Sequence, residues 1–387
     1  MIVKRKIAIL CDFDIAKRPR PFRMIKMLQE EYKIFAISKE GSFIQGIECF
    51  SFPAAKSSKQ RTQKEDQIIQ SYCYNREFDK LIYTPNRRVI TDILTSIPVL
   101  DLIIVEDITL LPFASDYVLR HPNTKILIDL REYYPLEYEN DFLWLETFGV
   151  FFKYLCTQYL PCVDFAITVS EGIAMRYQKD FGIACEIFYS LPPFFDLVPS
   201  KLSCRFEIIY HGFLSPDRHS KNLLQIAHLL DERFCLNIMG LSNQKGFIEG
   251  MQQEAQNISN LKFLAPVCME DIIPFCNRFD IGLITLPKNG FNNTYALPNK
   301  FFEYIQSRLC VVSTPIFEVK SLIEEFNIGQ CANGFEAEDV ARVLNGLDKR
   351  LLGAYKHNAS NIAQKYSTQT NHSKIISIIE GILNAKK

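Results

Sequence analysis

Pro298, Lys300 and Glu303 lie within the stretch Tyr295-Ala296-Leu297-Pro298-Asn299-Lys300-Phe301-Phe302-Glu303-Tyr304, and together they could hold a phosphorylated sugar. Proline lacks an N–H and its fixed φ suits a first helical turn, so Pro298 predicts the start of a helix running to about Leu309. Phe301, Phe302, Ile305 and Leu309 then share one face, and Lys300, Glu303 and Ser307 share another. A helix N-terminus carries free N–H groups and a partial positive charge that attract phosphate. Lys300 adds a full charge there. Glu303, one turn further in, is placed to accept hydrogen bonds from neighbouring ribose hydroxyls. That is a layout for a nucleotide. The same spacing fits an ordinary amphipathic helix with a solvated Lys–Glu face, and spacing alone leaves both readings open.

Three further stretches carry chemistry. Tyr210-His211-Gly212-Phe213-Leu214-Ser215-Pro216-Asp217-Arg218-His219-Ser220-Lys221-Asn222 follows an apolar run. Gly212 lets the backbone approach a ligand closely. Arg218 grips phosphate through paired N–H groups and Lys221 acts as a point charge. Near the N-terminus, Lys17, Arg18, Arg20 and Arg23 crowd a glycine-free loop after the first apolar run. They are either solvated surface or an anion site at a strand's carboxyl end. Asp129 and Glu132, at the end of a third run, either orient or deprotonate an acceptor hydroxyl or form a salt-bridged strand terminus with Arg131.

The elements that must position these residues alternate. Strands are expected at 6–10, 33–37, 81–83, 102–105, 126–130 and 165–170, with helices at about 22–31 and from Glu171. Residues 54–78 are helical in tendency. The aromatic segment 142–161 contains Glu146 and Lys153, which argues against a membrane span; it reads as a core helix or as a helix resting on a bilayer surface. Leu191-Pro192-Pro193-Phe194-Phe195-Asp196 fits neither a helix nor a central strand. We read it as a linker. Alternation then restarts, with strands at 207–210, 234–239, 261–264, 281–284 and 310–313. Helices are expected at 222–231, 269–276, 317–325, 337–363 and 370–385. The expected fold class is α/β: two doubly wound Rossmann-like domains facing a cleft.

Composition narrows the class. The 387 residues are enough for two domains, and 48% hydrophobic with 23% charged is globular. Lysine plus arginine equal aspartate plus glutamate at 44 each, so no polyanion such as nucleic acid is indicated as a partner. The twelve cysteines are scattered without CxxC, as expected of free, mostly buried thiols in a reducing cytoplasm. The N-terminus passes almost directly into a strand, so no signal peptide is expected.

These residues resemble the retaining glycosyltransferases of the GT-B fold, the large family of bacterial polysaccharide and lipopolysaccharide glycosyltransferases (glycosyl transferases group 1). The likeness runs over nearly the whole chain. Gly212 followed by Arg218 matches the family's strand-ending glycine and later basic residue. Pro298, Lys300, Glu303, Tyr304 and Ser313 match its Pro-x-Lys-x-x-Glu-Tyr stretch and the Ser/Thr after the next strand. Phe279-Asp280-Ile281-Gly282-Leu283 resembles the strand before it. Asp129, Glu132 and Pro135 match an Asp-x-His-Glu segment, with Arg131 in the histidine's place, and Val169-Ser170-Glu171 resembles its Val-Ser segment. Tyr295 stands where the family has the first of its paired glutamates.

The resemblance implies transfer of a sugar from a nucleotide-sugar donor to a bacterial surface glycan or glycolipid, with retention and without metal or cofactor. The alternatives are a nucleotide-sugar epimerase of similar fold and a non-catalytic glycan-binding protein. It implies donor binding in residues 198–366 by His211, Gly212, Arg218, Lys221, Tyr295, Asn299, Lys300 and Glu303. It implies acceptor binding in residues 1–197, with a helix at 367–387 crossing back; Arg18, Arg20, Arg23 and Arg131 are the acceptor-side cations. Asp129, Glu132 and Arg218 are the implied catalytic residues. The implied location is cytoplasmic, at the inner face of the membrane through peripheral association.

Overall fold

The structure, a computed structural model, describes residues 4–57 and 59–385. The chain forms two compact units. One comprises Met1–Ser190, Gly290–Asn292 and Asn371–Lys387, and the other Leu191–Asn289 and Asn293–Thr370.

The first unit is built on a parallel sheet of β1 (Lys6–Cys11), β2 (Lys33–Lys39), β3 (Glu48–Phe52), β4 (Leu102–Val105), β5 (Lys125–Leu130), β6 (Phe165–Thr168) and β7 (Cys185–Ile187), in the order β3-β2-β1-β4-β5-β6-β7. The central strands are continuous apolar runs because helices cover both faces. The order reverses direction between β1 and β4, where open α/β sheets hold ligands beyond the strands' carboxyl ends. One face is covered by the Pro19–Leu28 helix, through Met24, Ile25 and Leu28, and by the C-terminal helix, through Ile375, Ile378, Ile379 and Ile382. Each such side chain contributes about 1.5–3 kcal/mol on full burial.

The second unit repeats the plan with β8 (Phe206–Phe213), β9 (Phe234–Leu241), β10 (Leu261–Leu264), β11 (Ile281–Ile284), β12 (Cys310–Ser313) and β13 (Gly329–Cys331), ordered β10-β9-β8-β11-β12-β13. Its reversal falls between β8 and β11. All pairings in both sheets are parallel.

Several sequence expectations need correction. Residues 81–83 are not a strand: Asp79–Ile82 is a helical turn, and a short apolar run does not distinguish the two. The first helix begins at Pro19 rather than at 22, so Arg20 and Arg23 are helical. The aromatic segment is helical and divided. Phe151, Leu155 and Cys156 are buried, whereas Phe142 and Leu143 are exposed. No helix among the described residues is long and apolar enough to cross a membrane. Half of the cysteines are buried, and all twelve are free thiols.

Candidate functional site

The second unit gathers its chemistry at the carboxyl end of β8 and the start of the Asn299–Gln306 helix. Pro298 is the N-cap of that helix and makes no side-chain cap hydrogen bond, while the Phe301 N–H donates to the Pro298 carbonyl at 2.9 Å. The helix is not amphipathic in the ordinary sense. Phe301, Phe302 and Ile305 are buried, and so are Lys300 and Glu303. The reading of a solvated Lys–Glu face is thereby excluded.

Lys300 is the central group. Its Nζ lies 3.8 Å from the centroid of the Tyr210 ring. Tyr210 and Gly212 are two apart on β8 and share a face. A Cβ on Gly212 would stand 3.2 Å from the same Nζ, and Gly212 has φ +128, which disfavours any side chain. Among the described residues Lys300 donates no hydrogen bond and forms no ion pair. Burial, with the nearby Arg218 charge, pushes it down to about 7, against a smaller upward pull from Glu303. A buried cation without a bonded anion is costly, and the helix N-terminus beside it favours the same ligand, an anion.

His211, between Tyr210 and Gly212, is also buried. Among the described residues its Nε2 makes no hydrogen bond, and it lies 3.5 Å from Oε2 of Glu303. Burial and the Lys300 charge push it down to about 3, so the imidazole is neutral. Arg218 lies in the turn that follows β8, with its guanidinium 5.9 Å from the Phe213 ring centroid. The structure therefore brings His211, Gly212, Arg218, Lys300 and Glu303 together. Asn299 opens the helix. Tyr295 packs edge-on against Phe317 with ring centroids 5.6 Å apart. Lys221 is a correction: its ammonium is exposed and paired with Glu254. Tyr210 was given no site role, and Tyr304 was matched to the family's stretch without one. The alternation of β8, which sets Tyr210 on the side of Gly212, was the available signal for the first.

In the first unit the expected acceptor-side group is largely redrawn. Arg20 is buried. It donates from Nε and Nη2 to Oδ2 and Oδ1 of Asp129, at 2.5 and 2.9 Å, and from Nη1 to the Phe188 carbonyl at 2.6 Å. Asp129 is fully buried in β5. Both its oxygens are taken, so it is a structural partner and not an acceptor base, and Arg20 is not an acceptor ligand. Arg23 is half-buried and donates to the Ser190 carbonyl. Arg18 lies 3.5 Å over the Phe13 ring. Arg131 donates from Nη2 to the Glu106 carbonyl at 2.8 Å, with Asp107 at 3.9 Å. Glu132 follows β5 and is exposed. Sequence reasoning passed over Glu106 in this cluster. It is fully buried, and among the described residues no N–H or hydroxyl donates to its carboxyl group. Burial and the neighbouring Asp129 push it up to about 8, so it is largely protonated at neutral pH.

No family model matches the sequence, and no curated protein matches it. Solved structures do match across the chain. Anabaena HepE in complex with UDP-glucose aligns over 97% of this chain and 99% of its own, with a TM-score of 0.71 and 13% identity. Sucrose-phosphate synthase from Thermosynechococcus elongatus covers 99% and 100%, with a TM-score of 0.75 and 10% identity. WaaG, a glycosyltransferase involved in lipopolysaccharide biosynthesis, covers 97% and 100%, with a TM-score of 0.66 and 13% identity. At such identities the likeness is one of fold: the chain has the two-domain, Rossmann-like GT-B fold.

Proposed function

We propose that this protein is a glycosyltransferase that takes its sugar from a nucleoside-diphosphate donor bound in the second unit. The observation that carries the reading is the buried ammonium of Lys300, without an ion pair among the described residues, beside side-chain-free Gly212 and the start of the Asn299–Gln306 helix. A diphosphate supplies the missing anion. Glu303 accepts hydrogen bonds from the ribose. As the bond to the sugar breaks, negative charge grows on the leaving diphosphate, and Lys300, Arg218 and the helix N-terminus stabilise it. The UDP-glucose bound to HepE, a protein of the same fold, supports this class of donor.

The acceptor is assigned to the first unit, at the carboxyl ends of β1, β4 and β5, where Arg18, Arg131 and Glu132 lie. Glu132, rather than the neutralised Asp129, is the candidate to orient the acceptor hydroxyl. A bacterial glycan or glycolipid acceptor, retention, independence from metal and peripheral membrane association belong to the same proposal and are supported by the sequence resemblance. The test is release of nucleoside diphosphate from a panel of nucleotide sugars, with and without glycan acceptors. Acceptor-dependent release is expected. Release without any acceptor points to an epimerase-like enzyme, and donor binding with no turnover on any acceptor rules out the transferase.

A further inference from the structure

Tyr304 occupies an unusual place in the second unit. β8 pairs with β9 along its whole length, but β11 meets β8 only at Ile281↔Ile208 and Gly282↔Ile209. Beyond those pairs the two central strands part. The Tyr304 hydroxyl fills the gap. It accepts from the His211 N–H at 3.3 Å, and its single proton faces the carbonyls of Ile209 and Leu283, each at 3.2 Å. Three backbone groups that a continued ladder would have satisfied are served by one side chain. The ring reaches this position because Gly282 lies beneath it: a Cβ there would come within 2.3 Å of the ring. The same ring meets the His211 imidazole edge-on, with centroids 5.0 Å apart. Burial holds the Tyr304 pKa well above its ordinary value, so the proton stays in place.

We propose that Tyr304 is a positioning residue for the nucleotide site, holding β8 and β11 apart so that His211, Gly212 and the helix bearing Lys300 and Glu303 keep the spacing a diphosphate requires. This rests on the reading of that site as a nucleotide site. Tyr304 touches no ligand itself; it acts through the His211 backbone and through its place next to Glu303 on the helix.

The test is calorimetric titration of UDP, ADP and GDP, well below the melting temperature, into wild type, Tyr304→Phe and Val340→Ala. Val340 is buried on the Ala337–Asn345 helix of the same unit, and controls for loss of stability. Tyr304→Phe keeps the ring and orphans three backbone groups, so affinity should fall about tenfold, in line with the cost of unsatisfied buried groups. Val340→Ala should lower the melting temperature and leave affinity unchanged. Gly282→Ala displaces the ring with its hydroxyl intact, and the same loss is expected; this variant decides the matter if Tyr304→Phe does not fold. Wild-type affinity in Tyr304→Phe, or an equal loss in Val340→Ala, overturns the inference alone. A wild type that binds none of the three nucleotides overturns the nucleotide site and this inference with it.

Discussion

The ammonium of Lys300 rests 3.8 Å from the centroid of the Tyr210 ring and forms no ion pair among the described residues. A ring face offers a cation roughly 0.5–2 kcal/mol, far less than the hydration given up on burial. The pair thus stabilises the charge only in part, and the free protein carries an electrostatic strain that a bound anion relieves. The site's behaviour with mutation, pH and ligand follows from that imbalance.

Removing the charge should stabilise the ligand-free protein. Lys300→Met keeps the aliphatic stem against Tyr210 and loses the buried ammonium. A gain of about 1 kcal/mol corresponds to a melting temperature higher by about 2–4 °C for a domain of the second unit's size. Differential scanning calorimetry at neutral pH is the measurement. A lower melting temperature would mean that the ammonium is satisfied in the free protein.

The pH dependence has a definite sign. Lys300 is held at about 7 in the folded protein, against 10.5 as its ordinary value. Between those values the unfolded chain binds a proton that the folded one does not. Stability from this group therefore rises with pH from about 7 upward, by up to about 1.4 kcal/mol per pH unit. His211, held at about 3, acts on the acid side: stability falls as pH drops below the ordinary histidine range toward 3. Melting curves against pH should show both slopes, and Lys300→Met should abolish the alkaline one. A bound diphosphate favours the charged lysine, so above neutrality binding should take up a proton, measurable as a buffer-dependent calorimetric enthalpy.

Arg20→Ala should destabilise the first unit by about 3–5 kcal/mol, because it leaves the Asp129 carboxylate buried and unpaired. Arg20→Lys should not restore it, since an ammonium cannot reproduce the two parallel bonds to Asp129. Arg20→Met combined with Asp129→Leu should recover much of the loss. Urea unfolding reads all three. A mild effect of Arg20→Ala would return Arg20 to the candidates for ligand binding.

The alternation of apolar runs with helical segments carried most of the architecture, because buried parallel strands such as β1, β4 and β5 read as continuous apolar runs. Three of the four edge strands did not, whereas β10 was expected at 261–264. β3 is Glu-Cys-Phe-Ser-Phe, and β13 is only Gly-Gln-Cys. At the site, Gly212, Lys300 and Glu303 were legible through local spacing. What was hidden is long-range. Nothing near Arg20 announces Asp129, and nothing near Tyr304 announces the carbonyls of Ile209 and Leu283. The burial of Lys300 was hidden for the same reason. A lysine three residues before a glutamate looks solvated until the sheet beneath it is known.

The nucleotide site is tested most directly by calorimetric titration of UDP into wild type, Lys300→Met and Glu303→Gln at about one pH unit below the Lys300 pKa, where that lysine is largely charged. A hydrogen bond to a charged group contributes about 1.5–3 kcal/mol, so each variant should bind roughly ten- to hundred-fold more weakly than wild type. Both should remain folded. Wild-type affinity in a folded Lys300→Met variant would contradict the assignment and leave the buried lysine without a ligand.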